Sequence, residues 1–236
     1  MNILAIIPAR GGSKGLPKKN MKKLNGIPLI EHTIRIAKQS KKINKIIVST
    51  DDKQIAQISK SLKVEVPFLR PKSISKDSSP SIEYVKHAIS YLLKNESYEP
   101  DIIIILQPTS PFRSKSLIDD SIKMLQKTNS SSVISVSTMK KHPYLSFENT
   151  KNYLKPVKKN FQKFYQRQKF PTLFYPTGSI YTFWYDTLKK FDSIYGPKIK
   201  PLIIKTHQET LDIDDLFDFF LAEMTSKYWT KYQKKS

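Results

Sequence analysis

Three observations predict a three-layer α/β/α fold around a mostly parallel, doubly wound sheet. Short aliphatic runs alternate with amphipathic stretches of helical period, and each run ends in a polar loop. The most apolar run, Asp101–Leu106 (DIIIIL), has the pattern of a parallel strand covered on both faces. The loops after successive runs carry arginine, glycine and proline, as ligand-binding loops at the carboxyl ends of such strands do.

In chain order, Met1–Pro8 reads as a buried strand closed by proline. A glycine-rich basic loop follows over 9–20, and Asn25-Gly26 makes a turn. Pro28–Ser40 reads as a helix with Leu29, Ile30, Thr33, Ile34 and Ala37 on one face. Lys45–Ser49 is a second strand, after which Asp51-Asp52 open a helix to about Leu62 as capping and dipole-matching acids. Lys63–Phe68 reads as a third short strand, and residues 72–81 as a Ser/Lys/Pro loop. A helix from about Ser81 to Lys94, the DIIIIL strand, a helix to about Lys127 and a strand at Ser132–Ser137 complete the repeat. Beyond Met139 the pattern changes. Pro143–Ser146 and Asn152–Val157 read as short strands or a hairpin, and Lys158–Lys169 is basic and aromatic without periodicity. Regular structure resumes with Gly178–Trp184 and a last strand at Leu202–Thr206. Then come Asp212-Ile213-Asp214, a helix from about Leu216 to Tyr228 and a polar tail. This organisation is one domain, 1–236, with an inserted flap at about 140–172.

The chain has no cysteine, which excludes a disulfide framework and thiolate metal sites. The first apolar run is too short for a signal peptide and no run approaches membrane-spanning length, so the expectation is a soluble, cytoplasmic protein with no membrane partner. A net charge of +21 raises nucleic acid as a partner. Against it, the lysines are dispersed and no nucleic-acid-binding motif is present. Arginine is confined to Arg10, Arg35, Arg70, Arg113 and Arg167, against 36 lysines. Arginine's planar fork binds carboxylate or phosphate bidentately, and three of the five fall in the loops at 9–20, 67–81 and 107–113 that should share one mouth.

The glycine-rich loop is the sharpest signal. Gly11, Gly12 and Gly15, three of six glycines, fall within five residues among Arg10, Lys14, Lys18 and Lys19. Strand, then glycine-rich basic turn, is how a chain cradles phosphate. Lys14-Gly15-Leu16 has the wrong order for a P-loop, and Gly11-Gly12-x-x-Gly15 is not the dinucleotide fingerprint. Asp212 and Asp214 lie two apart on an extended segment, so both carboxylates face one way and offer hard oxygen ligands, or one of them caps the helix that follows. His32, His87, His142 and His207 show no metal-ligand spacing.

The run Ile7-Pro8-Ala9-Arg10-Gly11-Gly12-Ser13-Lys14-Gly15-Leu16-Pro17-Lys18-Lys19-Asn20 resembles the signature of the acylneuraminate (sialic acid) cytidylyltransferase family. Further blocks resemble that family in order: Val48–Asp52, Val66–Pro71, Leu106–Arg113, Arg167-Gln168-x-x-Pro171, Gly178–Tyr181 and Asp212–Asp214. The resemblance covers roughly residues 3–220. It implies a Rossmann-like nucleotidyltransferase that moves CMP from CTP to the anomeric hydroxyl of a nine-carbon 2-keto sugar acid, with Mg²⁺ assisting and pyrophosphate leaving. It implies that Arg10, Lys14 and Lys19 hold the phosphates, and that Ala9, Gly11, Gly12, Ser13, Asn20, Arg70, Ser79 and Ser81 bind the nucleotide. Gln107, Arg167 and Gly178 would meet the acceptor, and Asp212 and Asp214 the metal, with Asp212 also a candidate proton acceptor. The resemblance further implies a homodimer completed through the flap. Two departures fall on the acceptor side: Thr177-Gly178-Ser179 where many members have Asn-Gly-Ala, and Gln166-Arg167 where many have two arginines. They leave the acceptor open among N-acetylneuraminic, legionaminic and pseudaminic acids, ahead of an octulosonate. The competing readings are a nucleotidyltransferase of the same fold with another nucleoside triphosphate or sugar, and a nucleic-acid-binding protein.

Overall fold

The computed structural model describes residues 1–158 and 170–233. Its centre is a six-stranded sheet built from β1 (Ile3–Pro8), β4 (Lys45–Ser49), β5 (Ile102–Leu106), β6 (Ser132–Thr138), β9 (Phe174–Trp184) and β10 (Ile199–Ile203). The spatial order is β10-β6-β9-β5-β1-β4. Five strands run parallel, and β9 lies antiparallel between β5 and β6. Two-stranded ribbons, β2 (Lys23–Leu24) with β3 (Ile27–Pro28) and β7 (Phe147–Thr150) with β8 (Tyr153–Pro156), stand outside it.

Strand alternation divides the core. Ile3, Ala5, Ile7, Ile102, Ile104 and Leu106 face α1 (Leu29–Ala37), α2 (Lys53–Ser61) and α4 (Lys115–Lys127). Leu4, Ile6, Ile103 and Ile105 face α3 (Ser81–Glu96) and α5 (Tyr185–Phe191) on the other side. The five residues of β5 are at most 1% exposed, and burying each aliphatic side chain contributes roughly 1.5–3 kcal/mol. The helix at 29–37 buries the face that its periodicity gave. Asp52 caps α2 by accepting from the Gln54 and Ile55 amides.

Several expectations shift. Lys63–Phe68 is no strand. It touches β4 through an isolated parallel bridge, Ile47 to Glu65, with a second just beyond both segments, Thr50 to Leu69, and so runs along the sheet edge without a ladder. Pro143–Leu145 forms a 3-10 turn, because proline at its first position presets that φ. The hairpin lies at 147–156. The last core strand is Ile199–Ile203, slightly earlier than 202–206, because its pairing to β6 puts Leu202 beside Ser135. No described helix is long and apolar enough to cross a membrane.

A third, smaller core decides where the functional loops sit. Leu16, Leu24 and Leu29 pack with Ile213, just before α6 (Leu216–Met224), and with Phe219 and Ala222 of α6, which joins α7 (Thr230–Gln233) through a wider turn. This fixes the glycine-rich loop against the Asp212–Asp215 segment. Asp215 and Asp218 form a reciprocal capping box on α6, so neither Asp212 nor Asp214 is needed as the cap.

Candidate active site

At the carboxyl ends of β1, β4 and β5 lies a cleft of about 380 Å³, lined by Arg10, Gly12, Ser13, Lys19 and Asn20 from the first loop. Arg70, Lys76, Asp77, Ser79 and Ser81 line a second wall, Gln107 and Thr109 the floor, and Gly178, Asp212 and Asp214 the third side. Loops at 9–20, 67–81 and 107–113 therefore do share one mouth.

The first loop is held by acids as well as by apolar packing. The Gly11 amide donates to Asp51 at 2.8 Å, so Asp51 buttresses the loop rather than serving α2. That amide is already committed and is no free phosphate donor. A Cβ on Gly12 would meet nothing within 4 Å, and a Cβ on Gly15 would strike the backbone oxygen of Asp214. Asn20, buried, donates its side-chain amide to the Arg10 carbonyl at 2.9 Å. Arg10 pairs with Asp77, and Lys14 lies 3.9 Å from the same carboxylate. Lys19 pairs with Asp214 at 3.0 Å.

Arg70 is 5% exposed. It donates to the Ser49 hydroxyl at 3.0 Å and to the Ser49 carbonyl, and lies over the Tyr84 ring at 4.8 Å. Burial pulls its pKa down, and burial pushes the Tyr84 hydroxyl up to about 12. Arg70 thus stiffens the second wall of the cleft through the end of β4 and is not a free anion receptor.

On the opposite side, Ile213 is fully buried and its amide donates to the Thr109 carbonyl at 2.9 Å. Extended alternation then turns Asp212 and Asp214 the other way, toward the cleft. Burial raises the pKa of Asp212, with Thr109 and Lys19 opposing and Asp214 and Asp218 reinforcing the rise. Its Oδ1 is buried without a hydrogen-bond partner. Gly178 sits at φ +74, and a Cβ there would come within 2.7 Å of Asp212 Oδ2, so this position requires glycine. Among the described residues no group of three or more His, Cys, Asp or Glu is gathered. Two carboxylates, one with an uncommitted buried oxygen, fit a hard divalent cation that takes its remaining oxygens from phosphate and water.

Past Gln107 and Tyr181 the cleft opens into a chamber of about 310 Å³ walled by Ile82, Tyr84, Ile105, Ile194 and Tyr195. The wall between them is set by a fully buried arginine. Arg113 donates to the Gln107 carbonyl at 2.6 Å and to the Ser179 carbonyl and hydroxyl at 2.6 and 3.0 Å. Burial pulls its pKa down to about 9, against the pull of Asp212.

The charge order of this cleft is that of a site for a polyphosphate and a cation, and sequence comparison decides which family built it. The family model described as cytidylyltransferase matches residues 4–214. The chain belongs to the cytidylyltransferase family. It is similar to a CMP-N,N'-diacetyllegionaminic acid synthase of Legionella pneumophila, at 37% identity over 94% of this chain and 95% of the relative. It is also similar to an N-acylneuraminate cytidylyltransferase of Escherichia coli, at 33% identity over 93% of this chain but 51% of that longer relative. Among solved structures, a CMP:2-keto-3-deoxy-manno-octonic acid synthetase complexed with CTP aligns over 99% of this chain and 100% of its own, with a TM-score of 0.70 at 15% identity. That likeness bears on the fold alone. The family resemblance read from the motifs holds.

Seen as a cytidylyltransferase-family cleft, it gathers most of the residues picked from the motifs. Three fall outside its lining. Ala9 is fully buried with its amide on the Ser49 carbonyl, Gly11 is turned to Asp51 and Asp52, and Lys14 is 87% exposed at the rim. Arg167 lies outside the described residues, as does Gln166. The departures at Thr177 and Ser179 do not face the acceptor side of the cleft. β9 bulges there, Thr177 donates to the Ser135 hydroxyl at 2.8 Å, and Ser179 accepts from Arg113. Both are buried replacements inside the bulge, and only Gly178 between them lines the cleft. Sequence reasoning missed Asp77 and Thr109, and it placed Arg113 in the shared mouth, whereas the structure buries it behind Gln107 and Ser179. Asp77, the single acid of a Ser/Lys loop, was the available signal.

Proposed function

We propose that this chain transfers CMP from CTP to the anomeric hydroxyl of a nonulosonic acid, forming a CMP-sugar and pyrophosphate. One observation carries the reading: the loop cations Arg10 and Lys19 and two carboxylates, one of them with an uncommitted buried oxygen, meet in one cleft, on whose far side a neutral amide leads to a partly open chamber. The curated relatives named for CMP-legionaminic and N-acylneuraminate synthesis support it.

The acceptor oxygen bonds the α-phosphorus, the bond to the β-phosphate oxygen breaks, and the hydroxyl loses its proton. Arg10 and Lys19, with Lys14 at the rim, take up the negative charge that grows on the departing pyrophosphate, the largest electrostatic demand of such a transfer. Asn20 and the Arg70–Ser79–Ser81 wall hold the nucleoside. Asp212 and Asp214 would hold Mg²⁺, which when bound neutralises phosphate charge and polarises the attacking hydroxyl. Asp212 is also the candidate acceptor of the hydroxyl proton, through a carboxylate oxygen that does not hold the cation. Gln107 orients the sugar with an amide that both donates and accepts. The apolar walls of the chamber, Ile82, Ile105 and Ile194, suit a sugar bearing acylamino groups, which favours a sialic or legionaminic type over a bare octulosonate.

The hairpin of β7 and β8 exposes Tyr153 (80%) and Leu154 (70%), an apolar pair suited to a second copy. We assign it to a homodimer, and place the reaction in the cytoplasm, where nucleoside triphosphates are held. The test is pyrophosphate release from CTP and Mg²⁺ with a panel of nonulosonic and octulosonic acids. Release with a legionaminic- or sialic-type acid is expected. Release from UTP or GTP but not CTP, or with the octulosonate alone, overturns the reading.

A further inference from the structure

We propose that Asp77 is a charge-selective gate that occupies the phosphate cations until a polyphosphate displaces it. The inference rests on the reading of Arg10 and Lys14 as phosphate ligands. Both converge on one carboxylate, Arg10 through a direct ion pair and Lys14 at 3.9 Å. Asp77 is the only acid in the loop from Pro71 to Pro80, among Lys72, Lys76 and serines. The loop is stiff. Ser75 bonds back to the Pro71 carbonyl through its hydroxyl at 2.9 Å and to Lys72 through its amide at 3.2 Å, and Ser79 bonds to the Lys76 carbonyl. Its base is fixed by Arg70, whose amide donates to the Thr50 carbonyl at 2.7 Å and whose guanidinium is buried on Ser49. The loop is thus built to present its one carboxylate to the glycine-rich loop across the cleft that Asp77 itself lines.

A carboxylate in that place mimics a phosphate oxygen. It is a weak mimic, with one negative charge and 36% exposure. A tri- or pyrophosphate brings several charges and contacts Arg10, Lys14 and Lys19 together, so it outcompetes Asp77. A nucleoside monophosphate has no β- or γ-phosphate to place there and leaves the pair intact. Asp77 therefore separates ligands by phosphate number. After transfer, it recaptures Arg10 and Lys14 as pyrophosphate leaves, which keeps the product from being held.

Asp77→Asn, a partly exposed change that leaves the loop's internal bonds in place, tests this by titration calorimetry with CTP, inorganic pyrophosphate and CMP. Asp120→Asn, the same charge change on the exposed side of α4, controls for net charge. Expected is about fivefold tighter binding of pyrophosphate and CTP, as for loss of a competing partly exposed ion pair, with CMP affinity and Asp120→Asn unchanged. Weaker or unchanged pyrophosphate binding overturns the gate, as does equal tightening for CMP or in Asp120→Asn. Wild type that binds pyrophosphate but not CTP overturns the cytidylyl reading, and the gate is then judged on pyrophosphate. Wild type that binds neither overturns both.

Discussion

The two walls of the cleft satisfy their charges in opposite ways. On the phosphate side each candidate cation has an acid from elsewhere in the chain: Arg10 and Lys14 share Asp77, and Lys19 has Asp214. On the proposed acceptor side, Asp212 Oδ1 is buried in the lining without a partner, and behind the lining so are Arg113 Nη1 and Ser110 Oγ. Exchanging a partly exposed ion pair for a ligand gains only about 0–1 kcal/mol per pair, whereas an unpartnered buried polar atom costs about 1–3 kcal/mol that a correct ligand restores. The phosphate wall is therefore adaptable and salt-sensitive. On the proposed reading, selection among sugars belongs to the acceptor wall.

The sharpest way to break this contrast is Asp212→Asn. Turnover should fall by about a thousandfold, the scale of removing one strong electrostatic contact to the transition state, as measured by pyrophosphate release. The same variant should melt higher at pH 7.5. Burial raises the pKa of Asp212 in the folded chain above the ordinary 3.8. The folded state then binds more proton than the unfolded one, and stability is lost as pH rises through that window. The gain in melting temperature should vanish near pH 4. Arg113→Lys keeps the charge but loses the fork that joins Gln107 to Ser179. The KM for the sugar acid should rise about thirtyfold, and stability should drop by about 2–3 kcal/mol in urea titrations, on the scale of a disrupted buried charged network. The KM for CTP should stay within about twofold if the walls are independent, since Arg113 has no contact with the phosphate side. Lys19→Gln should weaken CTP by about tenfold, as for one charged hydrogen bond, with the acceptor KM unmoved. Unchanged turnover would remove Lys19 from the site. The smallest effect concerns the packing behind Arg70. His87 has a pKa lowered by burial and then by Arg70, and packs edge-on against Phe68 at 4.5 Å. The unfolded chain protonates first, so stability is lost as pH falls through about 6.5. His87→Gln should flatten the melting temperature between pH 7 and 5.5 by a degree or two.

What could be read in the sequence follows the range of the interactions involved. The helix face of Leu29 to Ala37 and the strand Ile102–Leu106 follow from local periodicity, and Asp52 from local capping. The cluster of Gly11, Gly12 and Gly15 among cations marked the phosphate wall, because scarce glycine in a basic turn is a local signal too. The antiparallel insertion of β9 between β5 and β6 was not legible, since its aromatic run pairs across long sequence distances. Thr177 and Ser179 looked like acceptor contacts because a bulge, invisible in the residue pattern, turns them inward. The partners of Asp77 and Arg113 were concealed for the same reason: they lie 67 and 66 residues away. Gly15 appeared to serve phosphate approach, whereas the contact that excludes a side chain there is with the Asp214 backbone.

That last contact bears on how the molecule comes into being. Gly15, Leu16 and Lys19 meet Asp214, Ile213 and Phe219, and Lys19 stands 195 positions from its partner in the chain. A segment emerging early from the ribosome thus acquires its working shape only when one of the last segments has been made. Until then Leu16, Leu24 and Leu29 present an uncovered apolar surface to the cell, the condition in which chaperones engage nascent chains. A messenger truncated before the codon for Ile213 would yield a chain that carries every letter of the glycine-rich signature yet lacks the support that shapes it.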